Sequence, residues 1–393
     1  MKTTRISLLW MLGATLVLLT MSCKSSTQPD PAIRFYVGTS DRSLARGIFL
    51  CEYDPGMGTM TVLDSFSGAS GPSYLDFSPD ETRLYSIDNT MADARDNSMR
   101  VASFRVSGEN HGLSFLNNQP SEGTGPCHVY CNREGTYLFT ANYNSGSVAA
   151  FPLDAEGRIL PASSVMQSEG SGPVEGRQEG PHTHYVTMDL AGKRLLSPDL
   201  GSDRILLFDF DASNGALTPH PEQPFLSLTP GTGPRHLVFH PEGRYVYIAG
   251  ELAATVTACS YDPVNGVLTE LNTLSTVKPD HPGSKFPAAI RISKDGRFVY
   301  VSTRGDVRSC ITVYRVESDG SLSLTEVTEG VPEWPRDFNI DPSGHYLLVA
   351  GERSDTIQVY ELDANTGRLS ATELVLELPS PGCILFIPEK EAS

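Results

Sequence analysis

The chain has 393 residues, 39% of them hydrophobic, and 47 Asp and Glu against 30 Lys and Arg give a formal net charge of −17. That length allows two average domains or one large repeat domain. So acidic a balance argues against nucleic acid as a partner, since phosphate binding takes clustered Lys and Arg, but it leaves room for a small anion in a local basic pocket.

The chain opens on a basic start, Met1-Lys2-Thr3-Thr4-Arg5, followed by an almost wholly apolar run from Ile6 to Leu19 and then Thr20-Met21-Ser22-Cys23. A basic start, an apolar run and a small residue before the cut make residues 1–22 a signal peptide. Cys23 directly after the cut, with Leu19 upstream, resembles a bacterial lipobox, so Cys23 is the expected lipidation site and residues 23–31 a polar tether. The apolar run is short of the ~20 residues a membrane span needs. The expectation is an exported protein, periplasmic or an outer-membrane lipoprotein, that meets the membrane only through its N-terminal lipid anchor. Cutting after Ser22 removes Lys2 and Arg5 and no acid, which takes the charge from −17 to −19.

Six cysteines remain. Cys51, Cys259, Cys310 and Cys383 sit singly in strand-like runs. Cys127 and Cys131 are four apart, which in a strand is ~13 Å, beyond the ~7 Å limit for a bridge. Buried free thiols are expected, and no spacing suggests a metal site or a cofactor.

Internal repeats organise residues 32–389. A polar–Gly–x–x–apolar motif recurs as Asp80-Glu81-Thr82-Arg83-Leu84, Glu134-Gly135-Thr136-Tyr137-Leu138, Ala191-Gly192-Lys193-Arg194-Leu195, Glu242-Gly243-Arg244-Tyr245-Val246, Asp295-Gly296-Arg297-Phe298-Val299 and Ser343-Gly344-His345-Tyr346-Leu347. A second motif, a hairpin turn, occurs around Gly58, Gly112, Gly157, Gly215, Gly266, Gly320 and Gly367. Asn-Gly and Asp-Gly close hairpins because they reach positive φ cheaply. Short β-rich runs lie between the turns, with no competing helical period. About four strands per ~50 residues, repeated, predicts an all-β seven-bladed propeller. Six copies of the first motif against seven turns predict that one blade is assembled from both termini, which pairs edges otherwise left open.

Each unit also carries a Gly-Pro or similar pair before a strand, as in Gly125-Pro126-Cys127-His128, Gly180-Pro181-His182-Thr183-His184, Gly233-Pro234-Arg235-His236 and Trp334-Pro335-Arg336-Asp337. The first strand of a propeller blade lines the central channel. Equivalent positions therefore predict a ring of His128, His182, His184, Arg235, His236, Arg336 and Asp337 at one channel mouth. The next strand returns to that mouth and brings Asn89, Tyr143, Leu200, Glu251, Arg304 and Glu352. In a regular strand His182 and His184 share one face. Imidazoles and carboxylates can serve as general bases toward water, and guanidiniums can hold an oxyanion or a substrate anion. A structural reading stays open for each: His128 and His236 as hydrogen-bonding groups between blades, Arg235 with Glu251 as an ion pair. His111, His220 and His345 fall in or beside turns and are expected in solvent.

Phe35-Tyr36-Val37-Gly38-Thr39, Ala141-Asn142-Tyr143-Asn144-Ser145-Gly146, Arg177-Gln178-Glu179-Gly180-Pro181-His182-Thr183-His184, Pro198-Asp199-Leu200-Gly201 and Gly233-Pro234-Arg235-His236 together resemble the lactonase, seven-bladed β-propeller family. The resemblance runs from about Ile33 to Pro388. That family includes bacterial 6-phosphogluconolactonases and is similar to carboxy-muconate lactonizing enzymes. It implies a catalytic or binding set of one His, two Arg and one Glu. By motif these fall on His182-Thr183-His184, Arg235, Arg304 and Glu251, while Gly250 and Thr303 stand where the family often has Asn. The resemblance implies a hydrolase that opens a sugar lactone, phosphorylated or not. Its small-molecule partner is then a lactone or sugar acid. The catalytic residues would be His182, His184, Glu251 and Arg235, with Arg304, His128, His236, Tyr143 and Arg336 binding substrate. A lactone-forming cycloisomerase of a dicarboxylate and a non-catalytic carbohydrate- or protein-binding propeller are the alternatives. Oligomeric state is not legible.

Overall fold

A computed structural model describes residues 32–93, 98–108 and 110–388; the leader, Cys23 and the tether lie outside them. The described chain forms seven antiparallel sheets around a central channel, the propeller expected from the repeats. Blade 1 is built from both ends, in the order Pro381–Phe386, Ile33–Thr39, Ile48–Asp54, Thr59–Phe66 from the channel outward. Blades 2 to 7 follow in chain order over residues 75–120, 126–167, 187–227, 234–275, 286–329 and 335–377. The outer strand of blade 4 is broken into Ala216–Pro219 and Phe225–Ser227, both paired with Arg204–Asp211.

The repeat glycines mark the turns. In the first motif Gly135, Gly192, Gly243, Gly296 and Gly344 all have φ between 65° and 77°, and Glu81 takes the same left-handed conformation at 59°. The second motif behaves likewise at six positions, but in blade 2 the left-handed residue is His111 (φ 50°) rather than Gly112. A side chain there is strained, so glycine is the default and these two exceptions are tolerated in tight turns.

Alternating apolar residues on the strands pack face to face between neighbouring sheets. Each adjacent pair of blades shares one buried cluster, from Tyr36, Leu84 and Phe104 between blades 1 and 2 round to Phe35, Leu348 and Ile384 between blades 7 and 1. The closing strand Pro381–Phe386 pairs with Ile33–Thr39 through Phe35↔Phe386 and Val37↔Ile384. All six described cysteines are free, and five of them are buried. One expectation fails: His220 is buried, with its ring nitrogens 2.8 Å from Asp209 Oδ1 and 2.7 Å from Asn265 O. His220 lies within the outer-strand break of blade 4, between Pro219 and Phe225.

Candidate active site

The innermost strand slips register in five blades, and three of those slips build the site. They fall between Pro126 and His128, between Pro234 and His236, and between Pro335 and Asp337. Such a β-bulge leaves one residue unpaired and re-aims its side chain. Those residues are Cys127, Arg235 and Arg336, and all three line one cleft of about 320 Å³ at the channel mouth. In blade 4 the equivalent of Pro126 is Thr183, which bridges Asp199 as Pro126 pairs with Asn142. His184 therefore holds the bulge position and lines the same cleft.

This corrects the expected ring. The residues after each bulge, His128, Tyr185, His236 and Asp337, lie deeper. The His128 ring sits between Tyr74 and Tyr185, at centroid distances of 4.0 and 3.8 Å, and 5.9 Å from His236. Together these rings pack across the channel below the cleft. His128 and Asp337 line a separate vestibule beyond them, where Asp337 binds Arg291 at 2.8 Å and accepts from Ile384 N at 3.0 Å. Neither His128 nor His236 is on the cleft wall. His182 is not there either: the strand expected at 182–184 is irregular and regular pairing covers only Thr187–Met188. The His182 ring stacks on Tyr143 at 4.5 Å with Nδ1 2.8 Å from Tyr143 O, while Tyr143 also touches His184 at 5.3 Å. Leu200 is fully buried; Asn89, Tyr143, Glu251, Arg304 and Glu352 reach the cleft.

Glu251 is the electrostatic centre. Its Oε2 accepts from Arg304 Nη2 at 2.6 Å and lies 3.1 Å from Arg235 Nε, and its Oε1 accepts from Arg177 Nη2 at 2.5 Å. Burial alone would raise its pKa, but Arg304, Arg235 and Arg177 outweigh that and hold it at about 2. Burial, and then the Arg304 charge, pull Arg235 down to about 9, which still leaves it charged at neutral pH. Arg235 Nη1 also donates to Ala288 O at 2.8 Å, and Arg304 lies 5.4 Å over the Trp334 ring. A carboxylate gripped by three cations is a clamp and a poor base.

The imidazoles behave differently. Burial, reinforced by Arg235 and Arg336, pushes His184 well below the ordinary value, so it is neutral near pH 7 with an unprotonated ring nitrogen, and the same surroundings make it a weak base. Its Nδ1 lies 3.8 Å from Cys127 Sγ, whose thiol burial raises to about 12. On the opposite wall Glu352 accepts from Ser40 Oγ at 2.5 Å and from Arg336 Nη1 at 3.4 Å, and Arg42 donates to Asn89 at 3.2 Å. Five arginines (42, 177, 235, 304 and 336) thus face two glutamates, Glu251 and Glu352, in the cleft. That local positive excess sits on a chain of charge −17. Sequence reasoning missed Arg177, Arg42 and Cys127; only the Arg177-Gln178-Glu179-Gly180 string carried a signal for the first. Among the described residues no group of three or more His, Cys, Asp or Glu is placed to hold a metal ion.

The sequence profile described as Lactonase, 7-bladed beta-propeller matches residues 34–386. The chain belongs to that family. As a lactonase it is a carboxylic-ester hydrolase. It is 33% identical to the 6-phosphogluconolactonase of Bacillus subtilis over 90% of this chain and 97% of that protein. It is 31% identical to the 6-phosphogluconolactonase of Formosa agariphila over 85% and 94%. Among solved structures, the periplasmic gluconolactonase of Pseudomonas aeruginosa superposes with a TM-score of 0.83 at 29% identity, covering 91% of this lactonase and 99% of that chain.

Proposed function

We propose that the cleft hydrolyses a sugar lactone that carries an acidic group, a phosphate or a second carboxylate, to the corresponding open acid. The observation that carries this is the five-to-two excess of arginine over glutamate at the mouth. Guanidiniums recognise phosphate and carboxylate oxygens two at a time, and four of these five are buried or half-buried. In this reading His184 takes a proton from water as the water oxygen bonds to the ester carbon. Arginine N–H groups receive the negative charge that forms on the carbonyl oxygen. The ring C–O bond then breaks, the ring oxygen takes the proton back from His184, and the new carboxylic acid loses its proton to solvent. Glu251 touches no reacting atom; it fixes Arg235 and Arg304 in place.

The leader-like residues 1–22 favour a substrate met outside the cytoplasm, and one similar structure is a periplasmic gluconolactonase. Purified residues 24–393 are to be followed by pH-stat on glucono-1,5-lactone, its 6-phosphate and muconolactone. The reading expects turnover above the spontaneous rate, fastest on an acid-bearing sugar lactone. Turnover of none of them would sink it, and preference for muconolactone would redirect it to the cycloisomerase chemistry.

A further inference from the structure

The segment between Ser164–Gln167 of blade 3 and Thr187–Met188 of blade 4 is mostly irregular, and Gln178 ties down the part that carries Arg177. Gln178 is fully buried. Its Nε2 donates to Leu200 O at 2.7 Å and to Asp203 Oδ1 at 2.8 Å, and its Oε1 accepts from Val174 N at 3.1 Å. The same Asp203 carboxylate accepts from Gly233 N and Gly231 N, both at 2.7 Å. Gly233 stands two residues before Arg235. One carboxylate therefore fixes both the loop that carries Arg177 and the turn that launches Arg235. Asp203 has φ 56°, a left-handed conformation that persists only where the surroundings enforce it, and three donors converging on one side chain do so.

We propose that Arg177 selects for lactones bearing an anionic group, with Gln178 and Asp203 as its positioning residues; this rests on the lactone-opening reading above. The three arginines on Glu251 are not equivalent. Arg235 and Arg304 meet Oε2, and their side chains are 3% and 8% exposed. Arg177 alone meets Oε1 and is 34% exposed. Withdrawing either buried arginine would leave buried charge uncompensated. Arginine has five N–H donors; beyond those that meet Glu251 and Tyr143, the partly exposed guanidinium of Arg177 has others to offer in the cleft that it lines. It can bond an arriving phosphate or carboxylate while Arg235 and Arg304 continue to neutralise Glu251. The planar fork of arginine offers donors to two anion oxygens at once, which a lysine in its place would not.

The test compares wild type with Arg177→Ala, Arg177→Lys and Gln178→Ala on glucono-1,5-lactone and its 6-phosphate, with thermal melts to report folding. In Arg177→Ala the ratio of kcat/KM for phosphorylated over neutral lactone is expected to fall about tenfold or more, mainly through KM, as loss of a charge-assisted hydrogen bond implies. Arg177→Lys restores part of it. Gln178→Ala lowers the ratio in the same direction with Arg177 intact. An unchanged ratio, or equal loss on both substrates, overturns the inference. If wild type opens neither lactone, the functional reading fails, and the inference is read instead from calorimetric binding of 6-phosphogluconate against gluconate. Wild type must then prefer the phosphate and Arg177→Ala must lose that preference; any other pattern overturns it.

Discussion

Arg304 Nη2 lies 2.6 Å from Glu251 Oε2, and both side chains are more than nine-tenths buried. Removing the carboxylate strands three guanidiniums. Glu251→Gln is expected to cost about 3–5 kcal/mol at pH 7, the usual penalty for breaking a buried pair. The loss is pH-dependent with a defined sign. The folded pKa of about 2 lies below the ordinary 4.5, so the stabilisation is complete above pH 4.5 and disappears as pH falls through 2. Urea melts at pH 7, 4 and 2.5 should show the gap between wild type and variant closing. A constant gap would contradict the clamp.

His184 and His182 separate by function as they do by position. His184→Asn is expected to cut kcat about 100-fold or more, as loss of a general base does. His182→Asn, with its ring on Tyr143 outside the cleft, should act mainly on KM. Because burial depresses His184, kcat/KM should stay level through pH 6.5, with its acid limb well below. If His182→Asn cuts kcat as deeply and His184→Asn does not, the role passes to His182.

The closing strand is a stability element. Ile384 is 2% exposed in the cluster shared by blades 7 and 1. Ile384→Ala is expected to cost about 2–5 kcal/mol, while Val165→Ala on an exposed outer strand should stay within about 0.5 kcal/mol. Chemical denaturation of both variants compares them directly, and equal losses would argue against ring closure as the stabilising contact.

The thiols should be silent in the folded state. Burial pushes Cys127 up to about 12 although it borders the cleft, and thiolate is the reactive form. Residues 24–393 should take up almost no iodoacetamide at pH 8 and six equivalents in denaturant, counted by mass spectrometry. Rapid native labelling at Cys127 would show the cleft to be wetter than its geometry implies.

The blades were legible because turns impose a conformation few residues reach. Gly135, Gly192 and Gly243 announce themselves at fixed steps, and even Glu81 is found by its place in the series. The cleft was only half legible. Glu251, Arg304 and Tyr143 follow directly from where a strand ends. Arg235 follows from its place in the repeat, but His236 does not, because the bulge at Arg235 turns that residue into the cleft and sends the next one down. The His182-Thr183-His184 pair misled for a related reason: alternation assumes a pleated strand, and here the chain is irregular. Arg177 depends on a loop whose anchor, Gln178, contacts residues 22 and 25 positions away.

Blade 1 carries both ends of the described chain, and the direction of its strands gives them an orientation. Ser40, at the end of the strand Ile33–Thr39, lines the cleft, whereas Ile33 starts at the far face and Leu385 borders the vestibule there. The two ends therefore leave together from the base of the ring. A tag or immobilising linker joined at either described end sits across the ring from the arginine-lined mouth and leaves the cleft open to solutes.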